Sequence, residues 1–180
     1  MIAYQQKKIS HAINFFASEH YEKTRQHPTQ TMLYKYLAFL DFYSLRRHGF
    51  PALGLKYRAM EHGPVPVEIY DNRDSLPNFR KNADGSISVH PQERPDLDYF
   101  SKQEFKIMGE LIEIFAIPET RASHMSDSSH EQIAAWRKTW QNNPNGIIDY
   151  SSEFDDIDNK KEKDLSFAEE VFLMYRATEV

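Results

Sequence analysis

Eight histidines and several carboxylate and serine clusters are the side chains here that could do chemistry. The stretch SHEQIA, Ser129 to Ala134, starts like the helical zinc motif in which two histidines one turn apart hold the metal and a glutamate acts as base. The position four residues after His130 is Ala134, so the second ligand is missing and a third has no source. The other histidines (His11, His20, His27, His48, His62, His90 and His124) form no pair at ligand spacing on a helix face. In SHMSDSSHE, Asp127 lies between His124 and His130, but no serine sits in the strand-turn-helix elbow that exposes a nucleophile. Asp155 and Asp156 fall in a charged run, where water keeps carboxylates ordinary. Asp41 is different, because it interrupts an apolar stretch and must find a donor there, either an arginine such as Arg58 or a tyrosine hydroxyl. Trp136 and Trp140, one turn apart, read as core. The expectation is a protein with no catalytic residues, no metal and no cofactor.

The elements that must position these residues follow from the length and pattern of the chain. At 180 residues, with 40% apolar and 13% aromatic content, it suits one domain over 1–180 with its own core. Twenty-seven acidic against 22 basic side chains give a net charge of -5, which repels phosphate backbones unless a local basic patch intervenes. The absence of cysteine excludes disulfides and thiolate chemistry. MIAYQQKKIS lacks the apolar core of a signal peptide, and no run of about 18 apolar residues exists to span a bilayer, so a cytoplasmic protein without membrane contact is expected.

Ile9, Ala12, Ile13, Phe16 and Ala17 recur at helical spacing within a first helix from Ile2 to about Tyr21. Thr29 can cap a second helix that runs to His48, with Arg46, Arg47 and His48 at its negative end and Gly49 as the stop. That helix is apolar on nearly all sides, which makes it the central rod. Leu55 to Met60 alternates like a short strand, and GPVP, Gly63 to Pro66, is expected to turn the chain into a short helix with Glu68 in its first turn. Asp84-Gly85, between Phe79 and the pair Ile87 and Val89, marks a hairpin. Ser101 and Glu104 form a capping box for a helix ended by Pro118, and Ser128 with Glu131 suggests a second box opening a helix that carries Trp136. Residues 150–164 read as a mobile charged loop, and a last helix occupies about 164–177. The fold class is α+β and predominantly α, with a small antiparallel hairpin or three-stranded sheet.

Helices followed by a hairpin also suit a winged-helix DNA binder, with SLRRHG and FRKN as its basic residues. The acidic net charge and the apolar second helix oppose nucleic-acid binding by this chain alone. A regulatory or nucleic-acid-binding protein of phage origin is the alternative reading.

The block LYKYLAFLDFYSLRRHGFPALGLKYRAMEHGPVPVEIYD resembles the signature of the Panacea-domain family, the SocA-like antitoxins and phage-associated proteins. An apolar helix holding an aspartate, a basic end, a glycine, a strand and a Gly-Pro-Val-Pro block occur there in the same order. SHEQIAAW is similar to the family's later region of Ser, His, Glu and Trp, and the signature region spans about 29–140. The resemblance implies an antitoxin that neutralises a toxin, usually the product of an adjacent gene, through protein contact rather than catalysis. In one branch it implies an adaptor that delivers the toxin to a protease. On this reading Met60, His62, Val65 and Tyr70, at the proline-rich junction, contact the partner. Asp41, Gly63, Pro64, Pro66, His130, Glu131 and Trp136 are the structural signature. Self-association into a homo-oligomer stays open.

Overall fold

The computed structural model describes residues 3–178. Those residues form seven α-helices and four short strands in two separate two-stranded antiparallel sheets. The first residue of the expected opening helix, Ile2, lies outside them; α1 is described over Ala3–Thr24.

Helix α2, Gln30–His48, is the central rod, with residues on every side buried against α1 and three later helices. Thr29 Oγ1 accepts the Met32 N–H, and Gly49 ends the helix in the left-handed region at φ +84° while its N–H returns to the Leu45 carbonyl. Glycine is needed at that stop for a second reason: a Cβ would collide with the Ala168 carbonyl and the Val171 side chain of α7, Phe167–Thr178. Helix α4, Lys102–Phe115, begins with the expected capping box, and Glu104 reaches onward to Lys8 of α1 at 2.7 Å.

Three expectations need correction. First, GPVP is not the turn but a strand: β2, Gly63–Pro66, pairs with β1, Tyr57–Met60, in the register Tyr57↔Pro66 and Met60↔Gly63. The turn is the dipeptide before it, Glu61-His62, and helix α3, Val67–Asn72, follows Pro66. Two prolines fit a strand because bonding toward β1 falls on the alternate residues, as the Val67 N–H to Lys56 carbonyl bond of 2.9 Å shows. Their nitrogens therefore face the outer edge, where no ladder donor is lost.

Second, Ser128 and Glu131 open no helix. Both lie inside α5, Ala122–Gln132, which starts after Arg121 and buries Met125, Ser126 and Ser129; helix α6, Ala134–Asn142, carries the tryptophans after a break at extended Ile133. A Ser-x-x-Glu spacing also arises on the wet side of a helix already under way, and Glu131 is exposed.

Third, the first half of 150–164 is not a loose loop, because Tyr150, Glu153 and Ile157 pack onto the body of the protein, whereas 158–164 is exposed. Just before it, the Ile148 N–H bonds to the Tyr57 carbonyl, and Ala59 exchanges bonds with Gly146 and Asn145. Strand β1 is thus bonded along both edges. The last two strands, β3 Phe79–Lys81 and β4 Ile87–Val89, form the expected hairpin. It joins the bundle through the Val89 N–H to the Pro28 carbonyl.

Candidate functional site

The β1–β2 hairpin rests on α2 and α5, and the contacts beneath it explain its residue types. Gly63 takes φ +98° at the exit of the turn, and a Cβ there would collide with Ser129 Oγ and stand 2.8 Å from Lys35 Nζ. Lys35 lies wholly inside the protein and donates to the Pro64 carbonyl at 3.1 Å. Burial pushes its amine down to a pKa of about 7. Ser129 Oγ, equally buried, donates to the Ser126 carbonyl at 2.7 Å. From α6, Trp136 Nε1 donates to the Met60 carbonyl at 3.0 Å. The His130 ring stacks on Trp136 at 4.0 Å and Trp140 stacks beyond it at 5.9 Å, so three parallel rings flank the hairpin. Burial, and next the Lys35 amine, lower the pKa of His130.

The signature residues separate into two places. Gly63, Pro64, His130 and Trp136 meet around Lys35, with Pro66 closing the far end of β2. Glu131 is exposed, and its carbonyl, with that of His130, accepts from Arg137 Nη1. Asp41 lies about 9 Å further along the axis of α2 and serves a different segment. Its carboxylate accepts the backbone N–H groups of Leu53 (2.5 Å), Gly54 (3.2 Å) and Leu55 (3.2 Å) and the hydroxyl of Tyr57 (2.9 Å); the Tyr150 hydroxyl lies 3.2 Å from it and 2.7 Å from the Leu55 carbonyl, and shares its one hydrogen between the two. Burial raises its pKa while bonds from Leu53, Tyr57, Leu55 and Gly54 pull it back. A tyrosine hydroxyl is therefore a donor to Asp41 and Arg58 is not. The three backbone N–H groups and the Tyr57 hydroxyl favour the ionised form.

The four residues expected to contact a partner do not form one patch. His62 is exposed at the tip and Met60 is half-buried beside it, but Val65 is only 8% exposed. Tyr70 lies beyond Pro66 on α3, under the Arg73 guanidinium at 4.3 Å. Val65 is corrected to a packing residue in this conformation. The sequence singled out neither Lys35 nor Tyr150. The available signal for Lys35 was its place between Tyr34 and Tyr36 on a helix with no wet face.

Chemically, the arrangement holds and presents; Ser129 and Lys35 are both closed to solvent. Among the described residues no three His, Asp or Glu side chains are grouped so that they could hold a metal ion, and no helix is long and apolar enough to cross a membrane. The arginines of SLRRHG are exposed and make surface contacts within the chain, Arg46 with the Gln132 carbonyl and the Tyr43 ring, Arg47 with Glu110 at 2.7 Å.

The model of the family described as "Antitoxin SocA-like, Panacea domain" matches residues 33–137, more than half of the chain. The chain belongs to this family. No curated protein and no solved structure matches it. The Panacea match runs from Leu33 in α2 to Arg137 in α6, taking in Lys35, Asp41, the β1–β2 hairpin and Trp136. It stops short of Trp140, Tyr150 and α7.

Proposed function

We propose that this protein is a cytoplasmic antitoxin that binds the toxin encoded by an adjacent gene and neutralises it by contact, with no catalytic step of its own. The observation that carries the reading is that the Panacea match coincides with a hairpin pinned from below by Lys35 and Trp136 while its tip, Glu61 and His62, faces solvent. A preformed tip loses little entropy on docking, so more of its contact energy appears as affinity. Met60 and His62 are the contacts of this surface, with half-buried Trp140 at its flank. Delivery of the bound toxin to a protease is a further step of the same reading.

The experiment expresses the neighbouring gene with and without this protein, then co-purifies the two products. Growth arrest by the neighbour, rescue by this chain and a stable complex support the proposal. His62→Glu, at an exposed position, is expected to weaken the complex tenfold or more and leave the unfolding curve unchanged. Rescue without a complex sinks direct neutralisation, and an unchanged toxin half-life removes the protease step. The nucleic-acid alternative predicts retention on DNA that falls steeply with salt, and the net charge of -5 weighs against it.

A further inference from the structure

The loop that joins α1 to α2 and the turn that joins α4 to α5 meet around a cavity of about 260 Å³, away from the hairpin. Its polar side is made by His20, His27, Thr29 and Arg121, its apolar side by Met32 and Ile117, and no carboxylate lines it.

Two imidazoles there are incompletely bonded. His20 is 3% exposed and its Nδ1 is 2.9 Å from the Tyr36 hydroxyl, while its Nε2 has no partner among the described residues. His27 has a buried Nδ1 with no partner, and its ring is sandwiched between Tyr21 at 4.4 Å and His90 at 3.6 Å. Buried polar atoms in native proteins nearly always have partners, so the unpartnered His27 Nδ1 beside this cavity marks a missing group. The surroundings set its charge. Arg80 acts on both His27 and His90, and Arg121 and Thr29 cap the starts of α5 and α2, whose positive ends therefore border the same space. In the tautomer whose Nδ1 accepts from the Tyr36 hydroxyl, His20 presents Nε2–H as a donor.

We propose that this cavity binds a small organic anion, a carboxylate or phosphate monoester on a short apolar body. The oxyanion takes donors from His20, His27 and Arg121, and the apolar body lies against Met32 and Ile117. The size suits a few heavy atoms beyond the anionic group, since drug-sized pockets begin at about 300 Å³. The inference stands apart from the antitoxin reading, because none of these groups belongs to the hairpin tip.

The test follows the histidine ring resonances by NMR in the full chain, titrated with butyrate, ethyl phosphate or inorganic phosphate, with chloride at matched ionic strength as the control. A bound anion favours the protonated rings, so the titration midpoint of His20 is expected to rise by at least about one unit. Butyrate acting more strongly than ethyl phosphate assigns a carboxylate, and the reverse order a phosphate monoester. Arg121→Gln, an exposed position, is expected to weaken binding at least fivefold with the folded spectrum intact, and His27→Gln tenfold. Ring shifts that chloride reproduces, or no shift with any anion, overturn the site. Inorganic phosphate binding as tightly as ethyl phosphate overturns the role of the apolar wall.

Discussion

Lys35 takes an amine into the most crowded part of α2 and meets one carbonyl there. Its pKa of about 7 in the folded protein lies below the 10.5 of a free lysine, so the unfolded chain binds the extra proton over that whole range. Stability from this group is therefore full above about pH 10.5, is lost as pH falls toward 7, and is level below that. Lys35→Met keeps the length of the stem and removes the charge; it is expected to stabilise the protein by on the order of 2 kcal/mol at pH 7. Urea unfolding at pH 7 and pH 10 tests this, with the gain shrinking at the higher pH. A variant less stable at pH 7 would show that the bond to Pro64 outweighs the cost of burial. Asp41 could be read from the sequence because a lone short carboxylate in an apolar helix has no way to reach water. Lys35 could not, since long basic side chains commonly bury their stem and extend the charge outward. Only the fold closes that exit.

At the scale of elements, the hairpin depends on Gly63 for its backbone conformation and for the space above Lys35 and Ser129. Gly63→Ala must accept both a strained φ and two collisions, and is expected to lose about 2–4 kcal/mol. Gly109→Ala is the opposite case: the position lies within α4, a Cβ there meets nothing within 4 Å, and a gain of about 0.5–1 kcal/mol is expected from helix propensity. Chemical denaturation of the two variants against the parent separates geometry from propensity. Equal, small effects would refute the account of Gly63. The long helices and the β3–β4 turn were legible because their signals are local: apolar spacing for α1, α2 and α4, Asp84-Gly85 for the turn. The strand made of GPVP was not. Proline and glycine mark turns in isolation, and only the pairing with Tyr57–Met60 shows that the proline nitrogens face away from the ladder. The second edge of β1, supplied by 145–148, was equally hidden, since a few residues that pair at long range carry no periodicity.

For the molecule as a whole, the histidines at the α1–α2 loop set an acid limit. Burial lowers His20 to about 4, and it also lowers His27 and His90, with His27 and Arg80 adding repulsion. Folded values below the free value of 6.5 mean that the stability held by this cluster is complete above pH 6.5 and declines toward pH 4. The docking of the β3–β4 hairpin shares this sensitivity, because the His90 ring lies against His27. A fall in Tm on the order of 5 °C between pH 7 and 5 is expected, with a smaller fall in His27→Gln. Parallel profiles for the two proteins would place the sensitivity elsewhere.

The bond from Tyr150 to Asp41 spans 109 residues of chain, and it lies partly outside the family match. Asp41 therefore leaves the ribosome well before Tyr150 exists. At translation rates of about 5–20 residues per second the gap is about 5 to 20 seconds. During that interval the carboxylate lacks one of its tyrosines, and β1 has one edge open until residues 145–148 emerge. The surroundings of Asp41 and the second edge of β1 are thus completed only by the last part of the chain to be made.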